Sequence, residues 1–159
     1  PCRSSSRLEV MTFNVRYDPG EQPRPEDLDA WRATTNPRRD RVVRVLTEAH
    51  ADLIGVQEPL ANQVDDLTAA LADYEFYGAG RDDGRRNGEF VGIFFRRRRL
   101  IRLDGGHFWL SATPEVPGTV FDGSAWIRMV TWLRLRDAAT QRTFLALNTH
   151  WDDVSASSR

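Results

Sequence analysis

Two segments with helical spacing of apolar residues lie ahead of most of the β-forming segments in this chain. The first helix is predicted over residues 36–50, where an Asn-Pro pair supplies an N-cap and a proline in the first turn. The second is predicted over residues 61–73, where Val64, Leu67 and Leu71 share one stripe. Because both helices come early, we expect them to cover one face of a single sheet.

Seven further segments are rich in β-branched and aromatic residues and are predicted as strands. They are residues 8–17, 52–57, 74–77, 90–95, 100–108, 129–135 and 143–149. The first is apolar on both faces at its start, which is typical of a central, covered strand. The last two form a predicted antiparallel hairpin. The pattern indicates an α/β fold with one mostly antiparallel mixed sheet and helices on one face.

The composition is that of a globular protein, with 40% hydrophobic and 28% charged residues and a net charge of -1. No apolar run approaches the roughly 20 residues that a membrane helix needs. The near-neutral charge does not support a wide nucleic-acid-binding surface. The arginine run at residues 96–99 fits either a local nucleic-acid patch or a solvated turn whose aliphatic stems cover a sheet edge, and the low net charge favours the turn.

The ends of the chain and its single cysteine leave the cellular compartment open. Cys2 cannot form an intrachain disulfide, so secreted and cytoplasmic locations both stay open. The chain begins with Pro1 rather than Met, which leads us to expect a processed or truncated N-terminus. Residues 1–7 are polar and are predicted to form a flexible tail.

Polar side chains stand at the ends of three predicted strands. Asn14 lies near the end of the first, Glu58 directly follows the second, and His150 ends the last, with Asp152 two residues later. We expect these strand ends to converge at one rim of the sheet. Carboxylate and amide oxygens suit a hard cation such as Mg²⁺, and a histidine can donate a hydrogen bond to a phosphate oxygen or protonate a leaving group.

Each of these residues also has an ordinary structural interpretation. Asn14 could bond a neighbouring loop, and Glu58, before Pro59, could be an acid at a helix N-terminus. His150 could be a common loop histidine, and Asp152 could belong to a turn. Taken singly, none of the four is specific for chemistry.

Six sequence blocks in order are far more specific than any single residue. They are MTFNVRYD at residues 11–18, DLIGVQE at 52–58, GRDDGRRNGEFVGIFF at 80–95, FWLSATP at 108–114, WIRMVTW at 126–132 and LNTHWD at 147–152. Together they resemble the endonuclease/exonuclease/phosphatase family over nearly the whole chain. The resemblance implies a four-layer α/β/β/α sandwich, of which residues 8–159 would form a partial domain, half of the sandwich, truncated on the C-terminal side.

The resemblance also implies roles for the strand-end residues. Asn14 resembles the family's active-site asparagine near the metal, and Glu58 resembles its principal Mg²⁺ ligand, for which Mn²⁺ is the alternative ion. His150 resembles the histidine that contacts the scissile phosphate. Asp152 matches a position found in one branch of the family, and we count it among the catalytic candidates.

Three more residues enter through the same resemblance. Arg81 and Glu89 lie in a polar, glycine-rich loop at residues 78–89, where the family places substrate contacts and a partner for the histidine. Arg128 resembles an arginine that faces the same site and is counted as catalytic. The family's Gly-Asp-x-Asn and Ser-Asp-His blocks do not occur here, so the aspartate that orients the nucleophile and the general-base histidine are missing from this sequence.

The implied activity is Mg²⁺-dependent hydrolysis of a phosphodiester or phosphomonoester by the full-length protein, with this chain incomplete. A non-catalytic phosphate-binding or interaction module with the same fold is the alternative. Nucleic acid and phospholipid are substrates of the family that the charge does not favour here. Among the tryptophans, Trp109, Trp126 and Trp132 are expected in the core, while Trp31 and Trp151 flank loops near the rim, where they could contact substrate.

Overall fold

The computed structural model describes residues 7–18, 20, 30–33 and 37–154. Two helices and seven strands lie within these residues. In chain order they are β1 (Val10–Asn14), α1 (Arg38–Glu48), β2 (Leu53–Gln57), α2 (Ala61–Ala70), β3 (Tyr74–Gly80), β4 (Phe90–Arg96), β5 (Leu100–Trp109), β6 (Met129–Asp137) and β7 (Thr143–Thr149). The α/β class and all nine predicted elements are confirmed, with shifts at their ends.

The first sheet has the strand order β1-β2-β4-β3 and carries both helices on one face. Only β1 and β2 run parallel, and the other neighbours are antiparallel. Ile54 and Phe94 point toward the helices, where they pack with Leu46, Leu67 and Trp31 in one buried cluster. Strand β4 is buried on both faces, as expected for a run of apolar residues without alternation.

A second sheet, β5-β6-β7, lies against the opposite face of the first. Ile93 and Phe95 of β4 pack there against Leu133 and Leu135 of β6 and Ala146 of β7. The chain therefore builds both inner layers of a sandwich and closes the core between them. The expectation of one single sheet is wrong, because β5 does not extend the first sheet but folds across it after the turn at residues 97–99.

Strand β1 is not a covered central strand but the edge of its sheet among the described residues. Its residues alternate between exposed and half-buried, and Val10 is 66% exposed. Apolar residues on both faces of a segment do not show whether the strand is covered. Burial of a strand depends on which strands and layers pack beside it. Asn36, the expected N-cap, and residues 1–6 of the expected tail lie outside the described residues.

The paired glycines Gly105 and Gly106 do not interrupt β5, which continues through them to Trp109. A Cβ at Gly105 would come within 2.6 Å of a Leu133 methyl group, and one at Gly106 within 2.9 Å of the Trp132 indole nitrogen. These glycines therefore make room for large side chains of the neighbouring strand β6, which is the close approach that glycine permits in a strand.

The arginine run forms the turn between β4 and β5, as the sequence favoured. Arg96 stacks on the Tyr74 ring and donates to its hydroxyl group, while Arg97 donates to the Tyr74 carbonyl. Arg99 pairs with the buried Asp137 at 3.0 Å. These side chains are thus used to close one end of the sandwich. Among the described residues, neither helix has the length and apolar character needed to cross a membrane.

Candidate active site

Glu58 is the centre of a polar cluster at one end of the two sheets. It follows β2 directly, beside the end of the parallel strand β1, so Asn14 and Gln57 are register partners. The Asn14 side-chain amide donates to Glu58 Oε1 at 2.6 Å, and His150 Nε2 lies 3.0 Å from the same oxygen. The expected convergence of Asn14, Glu58 and His150 at one rim is confirmed.

The surroundings of Glu58 favour its ionised form. The hydrogen bond from His150 lowers the pKa of Glu58 to about 2, and donation from Asn14 acts in the same direction, against the opposing effect of burial. The Tyr17 backbone N–H adds a third bond, to Oε2 at 3.3 Å. Glu58 itself has φ 72°, a left-handed conformation that is unusual for a non-glycine residue and that clusters at functional sites.

The loop that follows β1 is held in place by two side chains that the sequence did not single out. Arg38 donates to the carbonyl oxygens of Val15, Arg16 and Tyr17 at 2.6 to 3.0 Å. Gln63, fully buried on α2, donates to the Arg16 carbonyl and accepts from the backbone of Asp18 and Leu60. These bonds fix the backbone N–H that Tyr17 offers to Glu58.

Arg81 and Glu89 form an ion pair on the opposite wall. The two terminal guanidinium nitrogens of Arg81 lie 2.8 Å and 3.2 Å from the two carboxylate oxygens of Glu89, and both side chains are largely buried. Burial raises the pKa of Glu89, and repulsion from Glu58 adds to this effect, whereas Arg81 opposes it. Nε2 of the His150 ring bonds Glu58, and Glu89 pairs with Arg81, so the substrate-binding role of Arg81 and Glu89 stays a prediction.

Arg128 enters the same site from the start of β6 and is 5% exposed. It donates to Asp153 at 3.1 Å, and its Nε lies 3.7 Å from Asp152. Asp152 is 1% exposed and accepts a 2.5 Å hydrogen bond from the Ser124 hydroxyl. Asp152 thus lies behind Arg128 and is shielded from solvent, and its catalytic role stays a prediction.

These walls enclose a cleft of about 380 Å³. Its lining comprises Tyr17, Glu58, Arg81, Glu89, Trp126, Arg128, His150 and Asp153. Three of these residues were not among the sequence candidates for the site: Tyr17, Trp126 and Asp153. All three lie inside the matched blocks or directly beside one, which was the available signal.

Two tryptophans exchange the places that the sequence suggested. Trp126 is 48% exposed and lines the cleft, whereas Trp31 is fully buried and donates its indole N–H to Asp66 at 2.9 Å. Trp126 precedes β6 and belongs to neither sheet, whereas Trp31 packs with Leu46 of α1 and Leu67 of α2. Trp109 is buried as expected, and Trp151 is 63% exposed beside His150.

The donor set of the cleft fits a divalent cation that keeps most of its water ligands. Glu58 offers an ionised carboxylate, and Asn14 Oδ1, which accepts from the Arg16 N–H at 2.8 Å, is the nearby amide oxygen. Within the described residues, no three His, Cys, Asp or Glu side chains are grouped as a closed metal site would require. One carboxylate with waters and substrate oxygens is a usual arrangement for Mg²⁺.

The chain is similar to known proteins along almost its entire length. The sequence profile of the Endonuclease/Exonuclease/phosphatase family matches residues 11–157. An endonuclease/exonuclease/phosphatase from Bacteroides vulgatus is 37% identical, with a TM-score of 0.85 over 95% of this chain and 55% of that one. No curated protein is similar enough in sequence to count as a match.

Two further solved structures share the same fold at lower identity. A mannosyl-6-phosphatase from Bacteroides thetaiotaomicron is 29% identical, with a TM-score of 0.83 over 96% of this chain and 54% of that one. A functionally unknown conserved protein from Enterococcus faecalis is 28% identical, with a TM-score of 0.82 over 95% of this chain and 56% of that one. This chain spans about half the length of these structures. The matched profile, the shared fold and the convergence of the matched blocks on one cleft lead to one conclusion: the chain belongs to the endonuclease/exonuclease/phosphatase family.

Proposed function

We propose that the protein hydrolyses a phosphoester with the help of a divalent cation, Mg²⁺ or Mn²⁺, bound at Glu58. The observation that carries the proposal is the hydrogen bonding of Glu58, which Asn14, His150 and the Tyr17 N–H keep ionised at the mouth of a cleft with two arginines. A bound cation would neutralise charge that develops on the phosphoryl oxygens. Side chains of this chain would bind and orient the substrate.

In this proposal, His150 and Arg128 bind the phosphoryl oxygens. His150 Nε2 carries the proton that it donates to the ionised Glu58, so its N–H can turn to a phosphate oxygen at the same rim. Arg128 offers a buried guanidinium group that lies near Asp152 and donates to Asp153, and Asp153 is 72% exposed and can be replaced by an anion. Arg81 is oriented by Glu89 and contacts the substrate from the opposite wall.

Phosphomonoesters of sugars are the first substrates to test. The protein from Bacteroides thetaiotaomicron that is 29% identical to this chain is a mannosyl-6-phosphatase. The exposed indole of Trp126 at the cleft offers an apolar face of the kind on which a ring can stack. Neither observation excludes a phosphodiester, so both ester classes belong in the same screen.

The test is a metal-dependent activity screen with sugar phosphates, an aryl phosphodiester, a phospholipid and single-stranded nucleic acid. Glu58→Gln is the control for each substrate, because it keeps the shape of the side chain and removes its charge. Turnover that needs Mg²⁺ or Mn²⁺ and falls in Glu58→Gln supports the proposal. Saturable phosphate binding without turnover of any ester, in the full-length protein, would instead support a non-catalytic phosphate-binding module.

A further inference from the structure

A layer of buried polar side chains joins the two sheets directly behind the cleft. Asn148 on β7 donates from its side-chain amide to the carbonyl oxygens of Val56 and Gly92, both at 2.8 Å. Its Oδ1 accepts from Gln57 Nε2 at 2.7 Å. On the neighbouring strand β6, Thr131 donates to the Val91 carbonyl at 2.6 Å. Beside this layer, Ile93 and Phe95 of the first sheet make apolar contacts with Leu133 and Leu135 of the second.

The two side chains that cross the sandwich are themselves cross-strand partners. Thr131 and Asn148 lie opposite each other in the β6–β7 ladder, and Val56 and Gly92 lie opposite each other in the β2–β4 ladder. One pair of residues on the second sheet therefore bonds neighbouring backbone groups on two strands of the first. Hydrogen bonds are directional, so this layer fixes how the sheets are aligned, which apolar contacts alone do not.

The first sheet is shaped to receive Asn148. A Cβ atom on Gly55 would lie 2.8 Å from Asn148 Oδ1 and 3.0 Å from its Cγ. Only glycine leaves this space without displacing an amide that already uses both N–H donors. Gly55 on the first sheet thus leaves the space that the Asn148 side chain of the second sheet occupies.

The polar layer lies one or two residues away from groups of the cleft. Gln57 directly precedes Glu58, Asn148 comes two residues before His150, and Glu89 comes two residues before Val91. Glu58 and His150 directly follow strands of different sheets, so their 3.0 Å separation depends on the alignment between the sheets. We propose that Asn148 is a positioning residue that holds His150 in hydrogen-bonding reach of Glu58.

The test measures the reactivity of His150 toward diethyl pyrocarbonate, quantified by mass spectrometry of the modified peptides. Hydrogen bonding of Nε2 to Glu58 should protect that nitrogen, so the Nε2-modified form of the His150 peptide is the one quantified. Glu58→Ala, which removes the acceptor, gives the unprotected rate. In Asn148→Leu, which fills the volume without the three bonds, we expect His150 to react roughly tenfold faster, the scale of one lost charge-assisted hydrogen bond. His50 and His107 serve as internal references in the same chain.

Two further variants separate positioning from general destabilisation. Gly55→Ala pushes Asn148 away from the other sheet and should raise the His150 rate in the same way, even if Asn148→Leu does not fold. Leu135→Ala weakens the apolar contact between the sheets at the far end and should leave the His150 rate unchanged relative to the references. The proposal is overturned if Gly55→Ala leaves His150 protected, or if the rates of all three histidines rise together.

Calling the Glu58–His150 pair catalytic rests on the proposed function, but the reactivity measurement does not. Loss of protection in Gly55→Ala together with failure of every hydrolysis assay would leave the positioning role supported and the proposed reaction refuted. Hydrolysis that depends on Glu58, together with unchanged protection of His150 in Gly55→Ala, would support the proposed reaction and refute the positioning role of Asn148. The two failures are therefore distinguishable.

Discussion

The carboxylate of Glu58 accepts a hydrogen bond from His150 Nε2 across 3.0 Å, although 92 positions separate the two residues in the chain. Each follows the last residue of a strand, and the strands belong to different sheets. The bond lowers the pKa of Glu58 to about 2, so the carboxylate stays ionised even in acid that would protonate a free glutamate. Packing of one sheet on the other thus creates the charged centre of the cleft.

Glu58→Gln should abolish most of the metal-dependent activity of the full-length protein while leaving the fold intact. The amide keeps the size of the side chain but removes the negative charge that would bind the cation, and losses of about 100-fold or more are typical for a main electrostatic stabiliser. Steady-state kinetics at several Mg²⁺ concentrations measures the effect. Glu75→Gln, on β3 beside Arg102, is the matched control and should behave as the unmodified protein.

The chain of 159 residues by itself should turn over its substrate far more slowly than the full-length protein. The family resemblance assigns nucleophile orientation and general-base catalysis to blocks that this sequence does not contain, and general-base catalysis alone contributes roughly 10²–10⁴-fold. Comparison of kcat for the purified chain and for the full-length protein on one substrate is the measurement. Equal values would show that a residue of this chain accepts the proton.

Asp66 should stabilise the fold at neutral pH and lose this effect in acid. The hydrogen bond from Arg32 lowers the pKa of Asp66, and the bond from the buried Trp31 indole adds to it. A lowered folded-state pKa means that the stabilisation is present above the unfolded pKa of about 3.9 and is lost as the pH falls through the folded value. Urea unfolding of Asp66→Asn should therefore show a deficit at neutral pH that shrinks on acidification.

Asp66→Ala tests the same contact without an acceptor. It leaves the indole N–H of Trp31 buried and unpaired, which costs about 1–3 kcal/mol of unfolding free energy. Asp65→Ala is the control, because Asp65 lies next to it on α2 and pairs with the exposed Arg86. Equal stability of the Asp66→Ala and Asp65→Ala variants would contradict the role given to Asp66.

The outer face of the second sheet should make the isolated chain bind hydrophobic dyes and self-associate. Leu145 and Leu147 are 62% and 64% exposed on β7, whereas Phe94 on β4 and Val130 on β6 are 1% and 7% exposed. The uncovered surface is thus the outside of the second sheet and not the inner face of the first. Exposed apolar surface of this kind favours association.

Replacement of both leucines should relieve this association. We expect the double variant Leu145→Lys and Leu147→Glu to elute as a monomer in size-exclusion chromatography and to bind less dye than the unmodified chain. A sharp monomer peak without dye binding for the unmodified chain would contradict the prediction.

Much of the secondary structure was readable from the sequence because it depends on local patterns. The apolar run of β4 and the stripe of Val64 and Leu67 on α2 identify their elements without knowledge of any partner. The sequence also showed that Asn14, Glu58 and His150 stand at strand ends, because each lies in one of the matched blocks. Local spacing and residue type were sufficient for these features.

Features that depend on distant contacts were not readable. The exposure of Trp126 and the burial of Trp31 depend on which layer covers each segment, and the residues next to each tryptophan do not specify that layer. Gln63 and Asn148 look like ordinary amides in the sequence, yet both are buried with several hydrogen bonds to backbone groups far along the chain. Their roles follow from the partners that folding brings to them.

The sequence by itself determined the types of the elements, the family and the residues that reach the rim, because periodicity and motif order are properties of neighbouring positions. Only the tertiary structure decided that the strands divide into two sheets and that Glu58 of one meets His150 of the other. The physical reason is that the alignment of two sheets is set by directional bonds such as those of Asn148 to Val56 and Gly92, between positions that no local pattern connects.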